Sequence, residues 1–108
     1  MKAVTCNMTD DQIVSWIFLA TALASQNGPA DFRSIASIAD GINHAVPTHQ
    51  ELQTSLSWLA NHGLISKNKN KYTLTEKGKL DYEESSGNTS TLLKLWDNIE
   101  ATLKKYRT

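Results

Sequence analysis

Five lysines, Lys67, Lys69, Lys71, Lys77 and Lys79, fall within residues 67–79 against a single acid, Glu76. Ammonium groups at that density pair with phosphates, so a polyanion would meet the chain there. The first three alternate with Asn68 and Asn70, a run of solvated residues suited to a turn; a turn kept soluble by its charge is the plainer reading of the same residues. Residues for covalent or metal chemistry are sparse. One cysteine, Cys6, excludes an intramolecular disulfide and fits a reducing compartment, and no cationic cluster adjoins it to activate its thiol. His44, His49, His62 and Cys6 lack the paired spacing of zinc ligands. There is no glycine-rich phosphate loop, nucleophile elbow or His-Glu-x-x-His. These residues predict no enzyme, no metal and no cofactor.

The elements that must position the lysines belong to a short chain. It has 108 residues, 40% of them hydrophobic, with 11 basic against 11 acidic side chains. That is one small domain able to bury a modest core. Through residue 66 the only cations are Lys2 and Arg33, against Asp10, Asp11, Asp31, Asp40 and Glu51, so the basic window stands out. The most apolar stretch, Ile13 to Ala24, contains Ser15 and Thr21 and is shorter than the ~20 residues of a membrane span. Met1 to Met8 is too short and polar for a signal peptide. The expectation is a soluble, cytoplasmic chain with no membrane partner.

Thr9 and Gln12 have capping-box spacing, with Met8 and Ile13 as a hydrophobic staple, and predict a helix over 9–27. Its apolar residues lie on nearly every face, so it is covered on more than one side. Asn27-Gly28-Pro29 ends it, with Gly28 as a left-handed cap. Asp31 opens a helix over 32–43, on which Phe32, Ile35, Ala36, Ala39 and Ile42 form the apolar stripe. Thr48 and Glu51 box the start of a third helix over 48–62, whose inward face reads Leu52, Leu56, Leu59 and Ala60. Gly63 releases the chain into a hairpin over 64–74, with strands at 64–66 and 72–74 around a turn at 67–71. Trp58 is expected to lie partly buried against this hairpin. Thr75 caps a short helix over 76–84; Ser85-Ser86-Gly87-Asn88 reads as a linker, and a last helix runs from about Thr89 to Tyr106.

The order helix, helix, helix, strand, basic turn, strand resembles the winged helix-turn-helix family. Leu56-Ser57-Trp58-Leu59-Ala60-Asn61-His62-Gly63-Leu64-Ile65 and Tyr72-Thr73-Leu74-Thr75-Glu76-Lys77-Gly78 carry the likeness, which is to small bacterial transcriptional regulators of the MarR-like and PadR-like kind. It covers roughly Phe32 to Gly78 and is more specific for the fold than for any subfamily. It implies a mainly α fold with a small β-hairpin wing, the winged domain occupying 1–84 and a linker and dimerisation helix 85–108. It further implies binding of double-stranded DNA. The third helix would enter the major groove, presenting Thr48, His49, Gln50, Gln53, Thr54 and Ser57 to base edges. The wing would set Lys67, Asn68, Lys69, Asn70 and Lys71 on the backbone. One departure from the family pattern matters. The third helix holds no Lys or Arg, and Trp58 stands where relatives often carry a basic residue, so affinity would lean on the wing and on two-fold avidity.

Leu92, Trp96, Ile99, Leu103 and Tyr106 recur at intervals of 4, 3, 4 and 3. This a/d seam predicts a homodimer interface, with a fold-back onto the chain's own first helix as the other solution. The sequence names no small-molecule effector. The expected function is sequence-specific DNA binding by a regulator; the alternative is a winged-helix module that binds protein and not DNA.

Overall fold

The computed structural model describes residues 9–87 and 91–106. Within them lie five α-helices and one two-stranded antiparallel hairpin. Cys6, the staple residue Met8, Asn88 and Thr89 lie outside the described residues.

Helix α1 (Asp10–Ala24) is the central element, packed by α2, α3 and α5. Thr9 accepts from the Gln12 amide while the Gln12 side chain accepts from the Thr9 amide, completing the box. Every residue from Val14 to Ala22 is buried. Ser15 and Thr21 tolerate this because their hydroxyls donate to main-chain carbonyls one turn back, at Asp11 and Ile17. The helix stops at Ala24, short of the expected residue 27. Ser25 turns its amide and hydroxyl together onto the Thr21 carbonyl, and Gly28 adopts φ 142° in the connecting loop, not a helix cap. The early stop frees Ala30 to exchange two hydrogen bonds with Tyr72 on the hairpin, at 2.9 and 2.7 Å.

Helix α2 (Phe32–Asn43) starts at Asp31, whose carboxylate accepts from the Ser34 amide at 2.9 Å, and buries Ile35, Ala39 and Ile42. Helix α3 (His49–Asn61) buries Leu52, Ser55, Leu56 and Leu59. Ala60, expected inward, is exposed; the buried stripe follows i, i+3, i+4, i+7 and so takes Ser55 in its place. Gly63, at φ 75°, lets the Leu64 amide reach the Leu59 carbonyl and directs the chain into strand β1 (Ile65–Asn68). Strand β2 (Lys71–Leu74) pairs with it in the register Ile65 with Leu74 and Lys67 with Tyr72. The turn is therefore two residues, Lys69 and Asn70, both at positive φ (52° and 68°), and not the five expected. Two consecutive left-handed residues are what a two-residue hairpin turn of matching twist demands, and Asn70 accepts that conformation readily.

Helix α4 (Glu76–Ser86) begins directly after the hairpin. Thr75 donates its hydroxyl to the Gly63 carbonyl and accepts from the Gly78 amide. Gly78 lies against the backbone of Leu64, so closely that a Cβ there would overlap the Leu64 carbonyl oxygen. The last residue of the Tyr-x-Leu-Thr-x-x-Gly pattern is thus a packing requirement. Ser85 and Ser86, expected in a linker, are helical; Ser85 is buried, its hydroxyl bonded to the Asp81 carbonyl and the Thr102 hydroxyl.

Helix α5 (Leu92–Leu103) and a closing 3-10 turn (Lys104–Tyr106) end the described chain. Part of the seam expected to face a second copy packs inside the molecule, as in the fold-back alternative. Ile99 and Leu103 are buried in the core shared with α1, and the Trp96 ring stacks on Trp16 at 6.1 Å while donating to the Gln12 carbonyl and the Ser15 hydroxyl. Tyr106 donates to the buried carboxylate of Asp81 at 2.6 Å, beside Lys105 at 3.1 Å. The Lys105 ammonium's own hydrogen bond to Asp81 raises the Lys105 pKa, and burial, then the Asp81 bond, raises that of Tyr106. Of the seam only Leu92 is well exposed, at 45%. The apolar flank of α1 needed a cover, and the nearest stripe of matching spacing was on the same chain. Trp58 is partly buried, as expected; its ring packs on His62 (4.1 Å between rings) and edge-on to Tyr106 (6.3 Å).

Candidate nucleic-acid interface

With Leu52, Ser55, Leu56 and Leu59 committed to the core, α3 turns His49, Gln50, Gln53, Thr54 and Ser57 into solvent, next to its exposed cap Thr48. Glu51 belongs to the cap: its carboxylate accepts from the Thr48 amide at 2.9 Å, drawn back over the first turn. The open face of α3 therefore consists of neutral hydrogen-bonding groups.

The hairpin stands alongside. Ile65, Lys67, Tyr72 and Leu74 share one side of the ribbon by their register. Ile65 and Tyr72 are buried, which anchors the base of the ribbon and carries Lys67 out along the same side. The Lys67 ammonium sits 6.0 Å from the Tyr72 ring centroid. Phe32, at the start of α2, packs on Tyr72 (5.9 Å) and on His49 (5.2 Å), so three elements meet around one aromatic side chain.

The result is a groove walled by α2, α3 and the hairpin, to which His49, Gln53, Ser57, Lys67 and Asn70 all contribute. Gln50 and Thr54 lie over the opposite shoulder of α3, where they and Thr48 border a second hollow beside the start of α1. Both shoulders are continuous across the α3 surface through His49, Gln50, Gln53, Thr54 and Ser57. Asn68, Lys69 and Lys71 are exposed on the ribbon, outside the groove wall. Leu92, Trp96, Ile99, Leu103 and Tyr106 take no part in either wall.

Sequence reasoning missed Arg33, which lines the groove beside Phe32. Its signal was available: it is the only cation between Lys2 and Lys67, and it follows the α2 cap by two residues. Asp31 brings the one carboxylate in the groove wall. The Ser34 amide, then the Ser34 hydroxyl, hold its pKa below the usual carboxylate range, with Lys71 and Arg33 adding to the effect. It is an ionised helix cap flanked by cations, so it tempers the positive field without reversing it.

The arrangement sets cationic groups along the hairpin side of α3, neutral donors and acceptors across its face, and the carboxylates of Asp10 and Glu51 beside the second hollow. Among the described residues no group of His, Cys, Asp and Glu is placed to hold a metal ion, and no helix is long and apolar enough to cross a membrane. Comparison of the chain with protein-family models, curated proteins and solved structures found no match.

Proposed function

We propose that the chain is a winged helix-turn-helix protein that binds double-stranded DNA as a transcriptional regulator. In this reading α3 lies in the major groove while the hairpin lysines and Arg33, on one shoulder of that helix, hold the adjoining phosphates. The observation that carries it is the groove in which His49, Gln53 and Ser57 of α3, Lys67 and Asn70 of the hairpin, and Arg33 meet. A solvated turn kept soluble by charge has no reason to adjoin such a face. Phosphate contacts fix register and base-edge contacts specify, and the division of charged and neutral groups here matches that division of labour.

Two copies on a palindromic site, with half-sites about one helical turn apart, would supply the affinity that a recognition helix without Lys or Arg lacks. Their contact would have to use residues other than the buried Ile99 and Leu103. Leu92 and Leu93, 45% and 63% exposed at the start of α5, are the apolar side chains left at that end of the seam.

The test is duplex binding by the intact chain across a salt series, beside a variant with Lys67, Lys69 and Lys71 changed to alanine. Loss of three phosphate contacts should weaken binding on every sequence and reduce the log–log salt slope by about 3. Unchanged binding would remove the hairpin from the mechanism. No binding of any duplex at low salt would favour the protein-binding module.

A further inference from the structure

Resting on the duplex-DNA reading above, we infer that the protein selects A·T base pairs at the centre of each half-site, read by Gln50 and Gln53. In the major groove guanine is recognised through O6 and N7 by Arg or Lys, cytosine through N4 by a carboxylate, and adenine through N6 and N7 by Gln or Asn. From His49 to Asn61 α3 contains neither Arg nor Lys. Its one carboxylate, Glu51, is drawn back onto the Thr48 amide at 2.9 Å and is engaged in the cap. On α3 itself the guanine reader is thus absent and the cytosine reader is drawn into the cap.

What remains is selective in one direction. Gln50 and Gln53 are both exposed and three residues apart. Three residues of helix rise about 4.5 Å, against about 3.4 Å per base step along a strand, so the two amides reach adjacent base pairs. Thr54, exposed one turn after Gln50, offers a methyl group to the thymine methyl. Ser57 donates or accepts and discriminates little, while the His49 ring is held against Phe32 at the groove wall.

The cations point the same way. Those near this face, Arg33 and the hairpin lysines, lie along its hairpin side, where they would meet backbone. A hairpin lysine that reached the minor groove would be drawn most strongly to A-tracts, whose narrow groove concentrates negative potential. Both elements therefore favour the same composition.

The experiment compares the intact protein on two duplexes of equal length and identical flanks, one with an A·T core and one with a G·C core, at one salt concentration. The A·T core should bind about tenfold more tightly or better. Replacing the core adenines by 7-deazaadenine, which lacks the N7 acceptor, should cost wild type about tenfold and should cost the Gln50→Ala, Gln53→Ala variant nothing further. The modified-duplex measurement uses the unaltered protein, so it does not depend on the variant's folding. Equal affinity for the two cores, or a preference for G·C, would overturn the inference while leaving duplex binding in place. Absence of binding to either duplex at low salt would overturn the DNA reading, and this inference with it.

Discussion

Thr9 and Thr48 open α1 and α3 with the same reciprocal pair of hydrogen bonds, yet every side chain from Val14 to Ala22 on α1 is buried while His49, Gln50, Gln53, Thr54 and Ser57 on α3 stand in solvent. The cap decides where each helix begins and nothing about its role. The role follows from how many sides are covered. Helix α1 is enclosed by α2, α3 and α5, so even its serine and threonine must satisfy their hydroxyls on its own backbone. Helix α3 is gripped along one stripe, by α1 and the base of the hairpin, and its other side is available to a partner. One helix is scaffold and the other is display.

That contrast is breakable by substitution. The largest effect should come from Trp16→Ala: the ring is fully buried, stacks on Trp96 and donates to the Ala39 carbonyl at 3.0 Å. Loss of about 3–5 kcal/mol in urea unfolding is expected, a large share of the stability of a domain this size. A loss below 1 kcal/mol would mean that α1 is not the centre of the core. Next come the caps. Thr9→Ala and Thr48→Ala should each cost about 1 kcal/mol, and by similar amounts, since the two boxes have the same geometry; a marked inequality in thermal unfolding would show that tertiary packing, not the box, fixes one of the helix starts. Smallest is the Gln50→Ala, Gln53→Ala pair, expected within about 0.5 kcal/mol of wild type. If that pair unfolded the protein, the outer side of α3 would be structural after all and not a display surface.

Local signals in the sequence were enough for much of this. Both capping boxes, the Asp31 cap, the left-handed Gly63 and the hairpin after it are set by neighbours within a few residues, and each appears in the structure. The failures are non-local. The 4-3-4-3 spacing on α5 specifies an apolar face but cannot say whether the face meets this chain or another; Ile99 and Leu103 met α1. Asp81, on a polar helix, and Ser85, in a linker-like run, carry no local mark of burial; Tyr106, Lys105 and Thr102, between 17 and 25 residues away, bond to them from the end of the described chain. The Lys-Asn-Lys-Asn-Lys run left the turn ambiguous by a register; the burial of Ile65 and Tyr72 on one side of the ribbon chose Lys69-Asn70. The candidate site was legible in its α3 and hairpin residues, which lie on local elements; Arg33 stood out as an isolated cation, but its place in the site, like that of Phe32, follows only from the packing of α2 beside the hairpin.

Because Ala30 and Tyr72 exchange both of their amide hydrogen bonds, the ribbon is moored to the segment joining α1 and α2 as well as to the end of α3. Its main chain is therefore set in advance of any encounter, at a constant offset from the glutamine side of α3. Association ordinarily forfeits about 0.5–1.5 kcal/mol for each rotamer-rich side chain it immobilises, and more when a loop must also be ordered. On the hairpin only the lysine tips would have to settle, since the entropy of arranging its backbone has already been spent in folding.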